Sequence, residues 1–342
     1  MSGGRIEVMG GGLAGLAVAA GLVRRGVPVV VWEGGRTPRH RVCGEFLRGV
    51  SPEVWQELGL VPPVQGVKRT VRWWLGERAV ATFRLEEAAV AWARPELELR
   101  LREMVERGGG EIVEGRRVEP VFGVGRVLAT GRRRDPSSPW FAMKCRLYGM
   151  DLGADLEMHA GRSGYVGLTR VGDGSVNVSG LFRADPGVRA GTGNPAERLA
   201  GLLESAGLRR VAGWVMDAEG WEEGSLSSVA GVRFGWSELP PEVMAVGDAR
   251  VFIPPLTGKG MAMALEGARL ATELVVGFWQ GKWSWGDGAG QLDERLRRRF
   301  GRAVKVAQVV QAFLMSSRWQ PWVGESAARG WLPIRALAGW MS

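Results

Sequence analysis

The sequence predicts an α/β protein: a parallel-sheet domain split along the chain, a β-rich layer inserted at its middle, and a helical C-terminal segment. Three observations carry that expectation. Near the N-terminus, an apolar strand, a glycine-rich turn, an apolar helix and a second strand fit into about 30 residues. From about Pro139 to Arg183 the pattern turns to short strands separated by glycine turns. Val243-Met244-Ala245-Val246 then reads as a further buried strand that leads into a long helix. The expected divisions are 1–135 with 240–285 for the split domain, 136–239 for the β-rich layer and 286–342 for the helical segment.

Taken in order, Arg5-Ile6-Glu7-Val8-Met9 is the first strand, and Gly10-Gly11-Gly12-Leu13-Ala14-Gly15 follows at once. A helix over Leu16 to Val23 ends in Arg24-Arg25-Gly26, cations and a glycine where a helix C-terminus favours them. Val29-Val30-Val31-Trp32 is continuously apolar, as a buried parallel strand is, and ends in Glu33. Glu96 to Arg107 carries Leu97, Leu99, Leu101 and Met104 among charges, which predicts a surface helix. Glu111-Ile112-Val113 and Arg126-Val127-Leu128 read as strands returning to the parallel sheet. In the β-rich layer the expected strands are Trp140 to Leu147, Leu156 to His159, Tyr165 to Arg170 and Ser175 to Phe182. Helices are expected over Pro195 to Ala206, Met261 to Phe278 and most of Gln291 to Trp340, the last interrupted by Pro321 and Pro333.

Composition limits the function classes. At 342 residues and 37.0 kDa the chain has room for about two domains and a core that folds without staples. Cys43 and Cys145 are too few for a disulfide framework, and with His40 and His159 they offer no metal-ligand set, so no metal is expected. The net charge of +9 comes from scattered arginines. The densest runs, Arg132-Arg133-Arg134 and Arg297-Arg298-Arg299, have no interleaved aromatics, so they read as solvated surface and nucleic acid is not expected as a partner. No apolar run reaches the ~20 residues of a membrane-spanning helix. Leu13 to Val23 lacks the basic leader of a secretory signal, so a cytoplasmic setting is expected.

The chemistry-bearing signal is Gly10-x-Gly12-x-x-Gly15 between a strand and a helix. Gly10 permits the tight turn, Gly12 lets backbone approach a pyrophosphate, and Gly15 lets helix pack on strand. Leu13 and Ala14 are cofactor-binding candidates within the turn, and the helix that follows offers free N–H groups and a dipole that favour a phosphate. Glu33 is placed to meet an adenosine ribose hydroxyl, with Gly34 beside it. This is a Rossmann-like dinucleotide site.

A second signal specifies the dinucleotide. Ala245-Val246-Gly247-Asp248-Ala249 ends a strand, and Ile253-Pro254-Pro255-Leu256-Thr257-Gly258-Lys259-Gly260-Met261 opens a helix. With the N-terminal unit, these residues resemble FAD-binding oxidoreductases of the p-hydroxybenzoate-hydroxylase superfamily, most nearly the geranylgeranyl-reductase-like branch. Arg39-His40-Arg41-Val42-Cys43-Gly44-Glu45-Phe46-Leu47 looks like that branch's Lys-x-Cys-Gly-Glu element. Arg94 with Leu97-Glu98 and Leu101 is similar to its Arg-x-x-Leu-Asp-x-x-Leu helix, and Gly164-Tyr165-x-Gly167 with Asn177-Val178 to its substrate-layer strands.

The resemblance implies that Asp248 accepts a hydrogen bond from the flavin ribityl chain while Gly247 gives the backbone room. It implies that Pro255, Gly258, Gly260 and Met261 bring a helix start to the isoalloxazine edge. Arg41 and Arg94 would lie along phosphate and ribityl, and Gly44 against the flavin. NADPH or NADH is the implied electron donor. The chain departs from the family at Arg250, where aromatic hydroxylases often carry His, and at Thr130-Gly131-Arg132-Arg133, a worn form of the second, Asp-Gly-containing motif.

On the substrate side, His159 and Tyr165 fall in the layer expected to face the flavin, as groups to orient or deprotonate a phenol or as packing residues. Val306, Val309, Val310, Phe313 and Leu314 stand at helical spacing, followed by Trp319, Trp322, Trp331 and Trp340. Such a tail either rests peripherally on an anionic membrane or packs back on the domain. Either arrangement suits a lipophilic or aromatic small-molecule substrate. The implied function is an FAD-dependent monooxygenase, in which reduced flavin reacts with molecular oxygen and a flavin hydroperoxide hydroxylates an aromatic, polyketide-like or isoprenoid molecule. A flavin-dependent ene-reductase acting on prenyl or other C=C bonds, and a non-catalytic flavin-fold lipid carrier, remain alternatives.

Overall fold

The computed structural model describes residues 4–36, 38–119, 122–185 and 187–316. The first strand, β1 (Ile6–Met9), runs into α1 (Leu13–Val23) and then β2 (Val29–Glu33). β3 (Phe46–Leu47) and α2 (Pro52–Leu58) precede a long hairpin, β4 (Val67–Leu75) and β5 (Arg78–Ala91). Next come α3 (Arg94–Arg107), β6 (Glu111–Glu114) and β7 (Arg126–Leu128). A run of strands follows, β8 (Trp140–Tyr148), β9 (Leu156–Ala160), β10 (Gly164–Arg170) and β11 (Val176–Arg183), and then α4 (Pro195–Ser205) and α5 (Arg209–Met216). Short strands β12 (Gly220–Trp221), β13 (Ser227–Ala230), β14 (Gly235–Trp236), β15 (Met244–Ala245) and β16 (Val251–Phe252) lead to α6 (Gly260–Trp279) and α7 (Trp285–Leu314).

The first sheet is parallel throughout, in the order β15-β7-β1-β2-β6, so its strands come from both ends of the chain. α1 packs between this sheet, α3 and α6, which is why the Leu13–Leu22 stretch is buried around its whole circumference. Gly21 makes that packing possible, since a Cβ there would stand 2.7 Å from Thr272 Oγ1 on α6. α3 buries Leu97, Leu101 and Val105, one face at i, i+4 and i+8, and leaves Leu99 exposed.

The second sheet runs β12-β8-β11-β10-β9-β4-β5-β3, with β13 also on β8. β9 lies parallel to β4 and the remaining pairs are antiparallel. On its back face Val166, Leu168, Val176 and Val178 pack under Leu199, Leu202 and Val211 of α4 and α5. Its front face turns Ala142, Met158, Tyr165 and Leu181 toward Val306, Val310 and Leu314 of α7. A strand residue's parity therefore decides whether it meets helices or the space beneath α7.

Three features differ from the sequence expectation. α1 starts at Leu13 rather than Leu16, because Gly12 itself is the N-cap and the helix begins inside the glycine motif. The β4–β5 hairpin was not anticipated, and it makes the second sheet draw β3, β4 and β5 from within residues 1–135. The strand expected over Val243–Val246 shortens to Met244–Ala245. Trp319, Pro321, Trp322, Trp331, Pro333 and Trp340 lie outside the described residues. Among the described residues no helix is long and apolar enough to cross a membrane.

The α1–α6 contact yields a test. Gly21→Ala should cost about 1–3 kcal/mol in denaturant unfolding, because Thr272 is rigid and buried. Adding Thr272→Ala should recover part of that loss; strictly additive penalties would refute the close approach.

Candidate cofactor and substrate site

One cavity of about 1160 Å³ runs between the two sheets and under α7. It exceeds the ~300–1,000 Å³ of an ordinary small-molecule pocket, leaving space for a large cofactor and a second ligand. Its first part is built from the β1–α1 turn. Gly10 holds φ +118°, and a Cβ there would lie 2.3 Å from Ala129 O. At Gly15 a Cβ would fall 1.9 Å from Gly10 O, so Gly15 serves packing and does not line the cavity. Gly12 is different: the nearest atom to its would-be Cβ is Arg94 Nη2 at 3.6 Å, on the cavity side. Gly12 caps α1 with no side chain, and the first turn carries no acid, so its N–H groups face a ligand uncompeted.

Glu33 closes this end. Its carboxylate accepts from Gly11 N at 2.8 Å and Gly35 N at 2.9 Å, and pairs with Arg39 at 3.2 Å and Arg41 at 3.4 Å. Oε1 already accepts from both Gly35 N and Arg39 Nη2, whereas Oε2 keeps a lone pair for a ribose hydroxyl. Arg41 Nε and Nη2 are buried without a hydrogen-bond partner, and burial lowers its pKa. Buried guanidinium donors without acceptors are what a pyrophosphate would satisfy. Burial also works against the charge of Arg94, but the Glu98 carboxylate at 2.8 Å outweighs it and raises the pKa.

At the far end of this channel Gly247, at φ +59°, packs on Ala14, where a Cβ would clash at 2.8 Å. Asp248 follows, faces the cavity and hydrogen-bonds to no described residue. Burial raises its pKa against the opposing charges of Arg94 and Arg132. Pro255, Gly258, Gly260 and Met261 line the cavity where α6 begins. Leu13, Ala14, Gly34, Arg41, Gly44 and Arg94 line it as well. An FAD fits these groups: open glycine, orphaned guanidinium, unpartnered carboxylate and helix start occur in the order the molecule needs. Cys43 lines the cavity too, its thiol pKa pushed up by burial, so it stays protonated.

The second part is an apolar lobe walled by Val71, Trp73, Phe83, Leu85, Leu156 and Met158 and roofed by Val310 and Leu314. Val309 and Phe313 are exposed at its edge. Among the described residues no histidine lines the cavity, and the two carboxylates that do, Glu33 and Asp248, belong to the cofactor channel.

His159 therefore needs correction as a catalytic candidate. On β9 it has the opposite parity to Met158 and points to the back of the sheet, stacked on Trp74 at 5.3 Å and edge-on to Trp214. Its Nε2 lies 3.2 Å from Glu157, and burial lowers its pKa despite that carboxylate. Tyr165 does reach the cavity, but its hydroxyl already accepts from Leu256 N at 3.2 Å and donates to Gln311 Oε1 at 3.1 Å. Burial pushes its pKa up, so it is a neutral strut between the flavin-side loop and α7 rather than a base. Arg250 stacks on Trp236 and pairs with Asp293 of α7.

Sequence reasoning missed the group behind the cofactor loop. Glu45 is fully buried and, among the described residues, is the non-glycine with positive φ, +53°. Its carboxylate accepts from Lys144 Nζ at 2.9 Å, Arg146 Nη2 at 2.8 Å and Arg94 N at 3.1 Å. Arg146 continues to Glu222 at 2.9 Å, which also meets His40 at 3.1 Å. Asn177 Nδ2 donates to Cys43 O at 3.0 Å. The available signal was in β8: Phe141, Met143, Cys145 and Leu147 alternate with Ala142, Lys144 and Arg146, two charges on one face of an apolar strand.

This fold is that of FAD-dependent flavoproteins with a split Rossmann-like domain and a β-rich second layer. The chain matches no protein-family model and no curated protein. It is similar to the solved structure of a geranylgeranyl bacteriochlorophyll reductase-like protein from Thermoplasma acidophilum, with TM-score 0.75, 16% identity, and 98% of this chain and 95% of that chain covered. It is similar to Pseudomonas aeruginosa PqsL, described as a probable FAD-dependent monooxygenase and solved with 2-aminobenzoylacetate, with TM-score 0.67, 16% identity and 98% of each chain covered. The myxobacterial chondrochloren halogenase CndH gives TM-score 0.72 and 18% identity over 99% of this chain and 90% of that chain. At these identities the likeness establishes the fold.

Two tests follow. Glu45→Gln leaves the buried Lys144 charge uncompensated and strips Arg146 of one of its carboxylates, and should cost about 3–5 kcal/mol in chemical denaturation. Because the folded pKa of His159 lies below the 6.5 of the unfolded chain, its stabilisation is present above that pH and lost on acidification. His40 has the same sign, so Tm should fall from pH 7 to 5, and His159→Phe, which keeps the ring stack, should flatten part of that slope. An unchanged slope would refute a buried neutral imidazole.

Proposed function

We propose that this chain is an FAD-dependent oxidoreductase, and that it acts as a monooxygenase on a lipophilic aromatic, polyketide-like or isoprenoid small molecule. The observation that carries the proposal is the cavity's division into a cationic channel and an apolar lobe that meet at the start of α6. The α1 N-terminus with Arg41 would hold the pyrophosphate, Glu33 the adenosine ribose, and Asp248 a ribityl hydroxyl. When bound, FAD supplies two-electron redox chemistry, and NADPH or NADH is the proposed donor. The lobe wall orients an apolar substrate and keeps water from the reacting edge. Among the described residues the lobe contributes no carboxylate or imidazole, so the bond chemistry of the reaction is assigned to the cofactor.

An ene-reductase is the second reading. It is favoured by a lobe whose walls are apolar on every side, as an isoprenoid chain requires, and by the structural likeness to a reductase-like protein. A preparation without flavin absorbance would turn attention to the lipid-carrier alternative.

Gly12→Ala separates cofactor approach from folding, since the added Cβ meets nothing nearer than 3.6 Å. Its Tm as apoprotein should be unchanged while FAD affinity falls about tenfold or more, as read by flavin fluorescence on titration. For the reaction, the flavin-loaded protein should be reduced anaerobically and mixed with oxygen in a stopped-flow instrument, with lipophilic aromatic candidates present. A transient band on the short-wavelength side of the oxidised flavin peak supports the monooxygenase. Slow, direct return to oxidised flavin in every case would overturn it in favour of the reductase.

A further inference from the structure

Arg132 is a cavity cation that, among the described residues, has no counter-ion in contact. It follows β7 immediately after Gly131, which turns the backbone at φ +77°. All three residues of the run Arg132-Arg133-Arg134 line the cavity, but the second and third are exposed whereas Arg132 is half-buried. Its guanidinium lies 5.6 Å from the centroid of the Phe252 ring. Phe252 is stacked on Phe234 at 5.4 Å, and Phe234 meets Trp140 edge-on at 6.2 Å. This aromatic group belongs to the apolar cluster around the lobe, and Phe252 directly precedes the loop leading to α6. Arg132 thus stands where channel and lobe join, not at the phosphate end.

The charge arrangement points the same way. At the phosphate end Arg41 has Glu33 at 3.4 Å and Arg94 has Glu98 at 2.8 Å. Arg132 makes no hydrogen bond or ion pair within 4 Å among the described residues, and neither does Asp248, the acid whose field it feels. Asp248 is shared with Arg94, and burial lowers the pKa of Arg132. The space between the Asp248 and Arg132 side chains is open to a ligand with a hydrogen-bond donor on one side and negative charge on the other.

We infer that Arg132 supplies the counter-charge for the reduced, anionic flavin ring and so sets how strongly this site prefers reduced over oxidised cofactor. The inference rests on the flavin reading above. A hydride donor such as a nicotinamide transfers two electrons and one proton to N5, and the neutral oxidised ring becomes an anion with its charge over N1 and the C2 oxygen. The pyrophosphate charge is the same in both states. A cation at the ring therefore favours only the reduced state, whereas one at the phosphates favours both equally.

The test is to load wild type, Arg132→Met, Arg132→Lys and Arg107→Gln with FAD, then measure the affinity for oxidised FAD and the midpoint potential by equilibration with an indicator dye. Arg132→Met should bind oxidised FAD within about twofold of wild type. It should lose about tenfold in relative affinity for reduced FAD, the order expected from removing one partly shielded charge. For a two-electron couple that is a potential about 30 mV more negative. Arg132→Lys should keep most of the wild-type potential, and Arg107→Gln, an exposed cation on α3 away from the cavity, should leave it unmoved. Equal losses for both states would place Arg132 on the phosphates and overturn the inference, as would an unchanged potential. Wild type that takes up no FAD would defeat the flavin reading and this inference together; wild type that binds, with Arg132→Met unshifted, defeats the inference alone. Should Arg132→Met fail to fold, Arg132→Gln carries the same comparison.

Discussion

The cofactor half and the β-rich half of this molecule are held in register by one buried carboxylate. Glu45 accepts a hydrogen bond from the first N–H of α3, whose side chain Arg94 enters the channel, and pairs with Lys144 and Arg146 in the middle of the second sheet. Taking three charges out of water is costly, and mutual attraction offsets that cost only when geometry is close and polar atoms are satisfied. The left-handed backbone of Glu45 is a further expense, of order 1–3 kcal/mol for such strained conformations. A less demanding residue would fold more readily but would leave the loop carrying Arg41, Cys43 and Gly44 free to slide against the sheet. The position of the cavity wall is thus set by electrostatics, while its volume is set by apolar packing.

That division accounts for what was legible in the sequence. The β1–α1–β2 unit announces itself because its requirements are local: a continuous apolar strand, glycines at fixed spacing and an acid at the next strand end. The Gly247-Asp248 turn and the start of α6 were readable for the same reason. The β4–β5 hairpin was not, because Arg78–Ala91 mixes charged and apolar residues on both faces and gains its burial only from partners distant in sequence. His159 was misplaced by one step of strand parity, which nothing short of the pairing register fixes. Arg132 was read with its neighbours as solvated surface. All three line the cavity, and Arg132 differs from its neighbours in being half-buried, which the run of three like residues does not announce.

The cavity changes character along its length, and each change coincides with a change of supporting element. Helix N-termini and guanidinium groups surround the channel, where a ligand's charge is fixed and must be met. Strands β4, β5 and β9 and the end of α7 surround the lobe, where shape matters more than charge. Tyr165 spans the two, tied at once to Leu256 beside the start of α6 and to Gln311 on α7. A side chain that sequence alone offers as a base is, in place, a beam joining floor to roof.

The split of the parallel sheet has a consequence for how the chain is made. β15 completes the sheet by pairing Met244 with Val127 of β7, and everything from Ala129 to Val243 is synthesised between them. Until that late strand arrives, β7 presents an open apolar edge, and α1 lacks the α6 surface that Gly21 is shaped to meet. Distant pairings of this kind are slow to close, and the exposed edge is open to association with other chains meanwhile. The nascent protein should therefore depend on the contiguous β8–β11 part of the second sheet folding early, as the spacer that brings the two ends of the first sheet together.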